Sequence, residues 1–69
     1  MSGTFIIDQE IRSIRRDMRM TQEQFVAYFN ATNPKSIQLT RDMLAKYETG
    51  AVTPPADKFA KMLVIGGRI

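Results

Sequence analysis

With neither a cysteine nor a histidine anywhere in it, this chain has to hold its shape by packing alone. Disulfides and thiolate metal sites are excluded, and the commonest metal ligand and the commonest general base at neutral pH are missing. The constraint is severe because there are only 69 residues. A domain of that size buries only about 60% of the surface its unfolded chain exposes, so a stability of a few kcal/mol is expected unless a staple or partner contributes. A second copy of the chain is the natural remaining support. No metal, no cofactor and no catalytic residue is expected.

The longest uninterrupted apolar run, Met62-Leu63-Val64-Ile65, is far short of the roughly 20 residues a membrane helix needs, and the N-terminus lacks the apolar stretch of a secretory signal. The expectation is a cytoplasmic protein without a membrane partner. Net charge is +3 and unevenly placed: residues 11–20 carry Arg12, Arg15, Arg16 and Arg19 against Asp17 alone. Such a balance favours a polyanionic partner, because neutralising phosphates releases counterions. The same arginines also suit the solvated face of a helix.

Local signals divide the chain, read as one domain over residues 1–69, into four helices. Asp8 is placed to cap a first helix running to about Arg19, with Ile11, Ile14 and Met18 on one face. Thr21 and Gln24 form a capping-box pattern, and Phe25, Val26 and Phe29 supply the buried stripe of a second helix ending near Asn30. The segment from Ala31 to Gln38 contains Asn33-Pro34 and reads as a loop, because the residue before proline is pushed away from helical angles. Thr40 caps a third helix with Leu44 and Tyr47 inward and Leu39 packing ahead of the cap; Gly50 suits the left-handed position that ends it. Thr53-Pro54 opens a fourth helix with Phe59, Met62 and Leu63 on its apolar face, ended by Gly66-Gly67. Thr4-Phe5-Ile6-Ile7 and Val64-Ile65 leave room for pairing at an edge, but the fold class expected is all-α.

Taken in order, T-Q-E-Q-F-V-A-Y-F-N (21–30), L-T-R-D-M-L-A-K-Y-E-T-G (39–50) and P-x-x-x-x-F-A-x-x-L from Pro54 resemble the lambda-repressor-like helix-turn-helix family, also called the Cro or XRE type. The resemblance covers roughly residues 11–63. Its most specific parts are Thr21-Gln22-Glu23 and Tyr47-Glu48-Thr49-Gly50. The family has Ala where Val26 stands, Gly where Asn30 stands, and a turn shorter by about the residues from Ala31 to Gln38. Asn30 is a tolerable replacement on the ground that Asn enters left-handed angles readily.

The resemblance implies a compact four- to five-helix DNA-binding domain and a sequence-specific transcription regulator. A repressor is expected, often of its own promoter, binding a palindromic operator as a dimer through the helix near residues 40–49. Arg41 and Lys46 then have donors for guanine O6 and N7, Asp42 accepts from cytosine N4, and Met43 and Ala45 meet a thymine methyl. Asp42 and Lys46, four apart, also suit an ordinary intrahelical ion pair. Gln22, Thr40, Thr49 and Thr53, with Lys35 and Ser36 of the long turn, are the expected phosphate contacts. Arg15 and Glu48 are expected to form a structural ion pair between the first and third helices. Val64, Ile65 and Ile69, with Phe5 to Ile7 nearby, are candidates for the dimer interface or for completing the core. Two other classes remain open: an antitoxin-like module that holds a partner protein, and a small enzyme using carboxylates such as Glu10 and Asp17, which the lack of a glycine-rich phosphate loop or ligand cluster disfavours.

Overall fold

Phe25 and Phe29, one turn apart on the second helix and both fully buried, set the middle of the molecule. The computed structural model describes residues 6–69 and contains four helices and no strand among them: α1 (Ile7–Asp17), α2 (Gln22–Thr32), α3 (Arg41–Thr49) and α4 (Ala56–Ile65). Around the two rings, whose centroids are 6.5 Å apart, close Ile11 and Ile14 of α1, Leu44 and Tyr47 of α3, Met62 of α4 and Leu39 from the segment before α3. α3 packs on both α1 and α2, and α4 packs on α1. None of the described helices is long and apolar enough to cross a membrane.

The helix starts follow local chemistry. Thr21 Oγ1 accepts from the Gln24 amide while Gln24 Oε1 accepts from the Thr21 amide, closing the capping box. Thr40 Oγ1 accepts from the Met43 amide at 3.1 Å, and Gly50, at φ 80°, turns the chain out of α3. Each such cap is worth about 1 kcal/mol.

Several boundaries differ from the expectation, each for a visible reason. α1 begins at Ile7, and Asp8 lies inside its first turn, where a carboxylate still favours the positive end of the helix dipole. The chain leaves α1 at Met18 and reverses at Arg19, which takes φ 56°. α2 runs past Asn30 to Thr32, so Ala31 is helical. Thr32 Oγ1 donates back to the Tyr28 and Phe29 carbonyls, and Asn33 Nδ2 donates to Phe29 O, so side chains supply donors to the first of the carbonyls that the helix end leaves open. α4 starts at Ala56 after two prolines, with Pro54 buried and Pro55 as cap residue, so Thr53 stands outside the helix. Edge pairing is overturned for Ile7, Val64 and Ile65, which are all helical; Thr4 and Phe5 lie outside the described residues.

The connection 33–40 is anchored at both ends. Asn30 Nδ2 donates to Leu39 O at 2.9 Å and Asn30 Oδ1 accepts from Leu39 N at 2.8 Å. Asn30 therefore serves as a side-chain bridge from inside α2, not as a left-handed terminus. Ile37 packs against the core beside buried Leu39.

After α4 the chain returns to α1 through Arg68, whose guanidinium reaches Glu10 Oε2 at 2.7 Å, Ser13 Oγ at 3.0 Å and Asp17 Oδ2 at 2.8 Å. Those bonds, from Glu10 first and Asp17 second, raise the Arg68 pKa above the usual arginine value. Close approach of this return depends on Gly66, where an added Cβ would lie 2.6 Å from Ile14 Cγ2 and 3.0 Å from Cγ1.

Because Ile14 is fully buried and has no free direction in which to yield, Gly66→Ala is expected to destabilise the fold by about 1–3 kcal/mol, as overpacking does. Urea unfolding measures it, and a cycle with Ile14→Ala should show strong coupling, since removing the γ-carbons makes room for the new methyl. Additive effects would show that the two groups do not collide.

Candidate nucleic-acid interface

α3 divides its residues sharply between inside and outside. Leu44, Tyr47 and Glu48 are buried, Ala45 and Met43 are half-buried, and Arg41, Asp42, Lys46 and Thr49 are exposed. Met43 packs against the core, so it offers only part of its surface for the methyl contact expected of it. Lys46 Nζ lies 3.1 Å from Asp42 Oδ2, one turn back, so the intrahelical pair is present. A pair this exposed contributes at most about 0.5 kcal/mol to stability. Arg41 has no hydrogen-bonding or ionic partner among the described residues.

The orientation of α3 is fixed from below by Glu48, whose side chain is only 5% exposed. Arg15 donates to it in bidentate fashion, Nε to Oε2 at 2.7 Å and Nη2 to Oε1 at 3.0 Å, while Arg15 Nη1 donates to Met20 O. Hydrogen bonding to Glu48 raises the Arg15 pKa above its ordinary value, against the opposing effect of burial. Gln22 Nε2 adds a third donor to Glu48 Oε1 at 3.2 Å. Arg12 Nη1 donates to the Glu48 backbone carbonyl at 2.6 Å, one of the last four carbonyls that a helix leaves without an internal partner. No buried side-chain nitrogen or oxygen is left unsatisfied among the described residues.

The remaining sequence-assigned positions scatter. Thr40 and Thr49 are exposed at the two ends of α3, but Thr40 Oγ1 is the cap acceptor and Thr49 Oγ1 donates to Lys46 O. Gln22 gives an amide hydrogen to Glu48, so it ties α2 to α3 whatever else it touches. Lys35 and Ser36 are exposed on the 33–40 connection. Thr53 lines an open cleft of about 290 Å³ with Ile6, Asp8, Tyr47, Val52 and Pro54; the Asp8 carboxylate there opposes a phosphate, which weakens the case for Thr53. Val64 and Ile69 are 54% and 76% exposed, whereas Ile65 packs against the core and contributes less free surface.

Sequence reasoning missed Arg12, Asn30 and Arg68. Only Asn30 carried a signal, an amide able to donate and accept at once beside a segment with unpaired backbone.

The ten lysines and arginines fall into two groups. Arg12, Arg15, Lys46 and Arg68 hold acids or carbonyls, and Lys58 lies 6.0 Å over the Tyr47 ring. Arg16, Arg19, Lys35, Arg41 and Lys61 are exposed and have no such partner among the described residues. Glu10 and Asp17, the carboxylates an enzyme would use, are both held by Arg68. No family model, curated protein or solved structure matches this chain.

Arg15→Met should strand the Glu48 carboxylate in the core at a cost of about 3–5 kcal/mol, enough to leave a domain of this size largely unfolded at room temperature. Glu48→Gln, which keeps an acceptor for Arg15, should cost less. Far-ultraviolet circular dichroism with thermal melts separates the two; equal melting of Arg15→Met and the parent would mean the pair ties nothing together.

Proposed function

We propose that this chain is a sequence-specific double-stranded DNA-binding regulator of the lambda-repressor-like type, a repressor working as a two-fold dimer in the cytoplasm. In this reading α2 and α3 form a helix-turn-helix with a long turn, and α3 enters the major groove. The observation that carries the reading is the exposed polar face of α3. Arg41, Asp42 and Lys46 are exposed there while Glu48, at the far end of the same helix, is locked to α1 and α2.

Rigidity of that kind suits base readout, because side chains reach base edges productively only from a backbone held in register. Arg41 brings the fork that fits guanine O6 and N7, and Lys46 with Asp42 brings donors and an acceptor on adjacent turns. The ion pair also screens Asp42 from phosphates. Positioning contacts fall to Gln22, Thr40 and Thr49, and to Lys35 and Ser36 on the connection. One short recognition helix reads few base pairs, so two copies are required, and exposed Val64 and Ile69 supply apolar surface for self-association. No comparable observation favours the antitoxin-like reading.

Selection of bound duplexes from a random pool tests the proposal directly. A palindrome with half-sites about one helical turn apart is expected, and on the winning duplex Arg41→Ala and Lys46→Ala should each lose about 1–3 kcal/mol of discrimination against base changes in the half-site. Failure to enrich any sequence would sink the reading. Self-association has its own check: Val64→Glu, at an exposed position, should shift the sedimenting species toward monomer, lower operator affinity, and remove the dependence of the melting temperature on protein concentration that a dimer shows.

A further inference from the structure

Arg19 stands out as the one described residue other than glycine with a positive φ, at 56°. The left-handed region crowds the Cβ of any L-residue against the following carbonyl, and glycine is the residue that avoids the clash. The turn itself makes ordinary use of the conformation: Arg19 N donates to Arg16 O at 2.9 Å and Met20 N to Arg15 O at 3.2 Å, a helix-ending arrangement that glycine completes with less strain. Nothing among the described residues repays an arginine here. Its side chain is exposed and makes no hydrogen bond, ion pair or ring contact among the described residues.

The neighbouring arginines make the contrast sharper. On the same stretch Arg12 and Arg15 are committed to Glu48, whereas Arg16 is exposed and uncommitted like Arg19. The nearest acid in sequence, Asp17, is taken by Arg68. The end of α1 therefore presents two unneutralised guanidinium groups within four residues, one of them held at a position where it destabilises its own turn. Strain kept at a single exposed residue points to a role outside the fold.

We propose that Arg16 and Arg19 form a sequence-independent clamp on the phosphate backbone of duplex DNA, with Arg19 as its principal member. The inference rests on the DNA-binding reading above and extends it: α3 discriminates between bases, and the end of α1 supplies affinity common to all sequences. Guanidinium forks suit this task because they engage phosphate oxygens in pairs and stay charged at every relevant pH.

Three variants separate charge from strain. Arg19→Gln removes the charge and keeps the strained backbone; Arg19→Lys keeps both; Arg19→Gly removes both. Binding to a random-sequence duplex and to the selected duplex is read by fluorescence anisotropy across a salt series. Every phosphate that is no longer neutralised lowers the slope of log K against log salt by about 0.9. Arg19→Gln and Arg19→Gly are expected to show that smaller slope and several-fold weaker affinity on both duplexes alike, while Arg19→Lys stays close to the parent. Arg19→Gly should at the same time melt several degrees higher than the parent, so that the more stable protein binds more weakly. Lys61→Ala, which removes from α4 a charge that is likewise exposed and has no partner among the described residues, serves as the control for net charge and should leave the slope nearly unchanged. Unchanged slope and affinity in Arg19→Gln and Arg19→Gly, with Arg41→Ala still relaxing discrimination, would overturn the clamp and leave the DNA-binding reading standing. A parent protein that binds neither duplex even at low salt would overturn both.

Discussion

A carboxylate in the core of so small a domain is a liability, and most of the architecture around α3 can be understood as the response to it. Glu48 gives up nearly all its contact with water, which costs several kcal/mol unless charge and hydrogen bonds replace the missing solvation. Arg15 replaces it from α1 and Gln22 from α2. Because the bidentate fork tolerates little change in angle, the far end of α3 can dock on the other two helices in only one way. Arg12 adds a cation at the negative end of the α3 dipole by capping the Glu48 carbonyl. The opposite end is fixed by Thr40 and by the Asn30–Leu39 bridge. A nine-residue helix, too short to be stable alone, is thus held at both termini by polar contacts and along its middle by Leu44 and Tyr47.

What the sequence disclosed and what it hid divide along the same physical line. Thr21 with Gln24, Thr40, and Gly50 act within three or four residues of themselves, and their signals depend on nothing else, so two helix starts and one helix end were readable. The apolar spacing of Ile11 and Ile14, of Phe25 and Phe29, and of Leu44 and Tyr47 named the core, because one buried face needs no knowledge of its partner. Long-range polar contacts were opaque. Arg68 binds residues 51 to 58 positions away, and no local pattern distinguishes it from Lys61. The extension of α2 through Ala31 and Thr32 goes with Thr32 and Asn33 turning back to the Tyr28 and Phe29 carbonyls, contacts that the Asn33-Pro34 signal did not reveal. At the site, the exposed positions of Arg41, Asp42 and Lys46 followed from the inward ones, whereas the engagement of Gln22 with Glu48 depended on the docking angle of α2, which no spacing encodes.

The charges are partitioned in a way that gives each end of the DNA-binding proposal a different character. Glu10 and Asp17 of α1 share the returning Arg68, and Glu48 is paired with Arg15, so these carboxylates are engaged away from the exposed arginines at the end of α1. On α3 the balance is different. Lys46 is shared with Asp42, leaving Arg41 as the only uncompensated cation on that helix. In the proposed role, a surface carrying one free fork and one neutral pair would have modest general attraction for phosphate, and more of its binding would depend on matching donors to base edges. General attraction would then fall to the turn at Arg19 and to the 33–40 connection. Under that proposal the two functions vary independently: changes on α3 would alter which sequence is preferred, while changes to the exposed side chains at the end of α1 would alter how tightly any sequence is held.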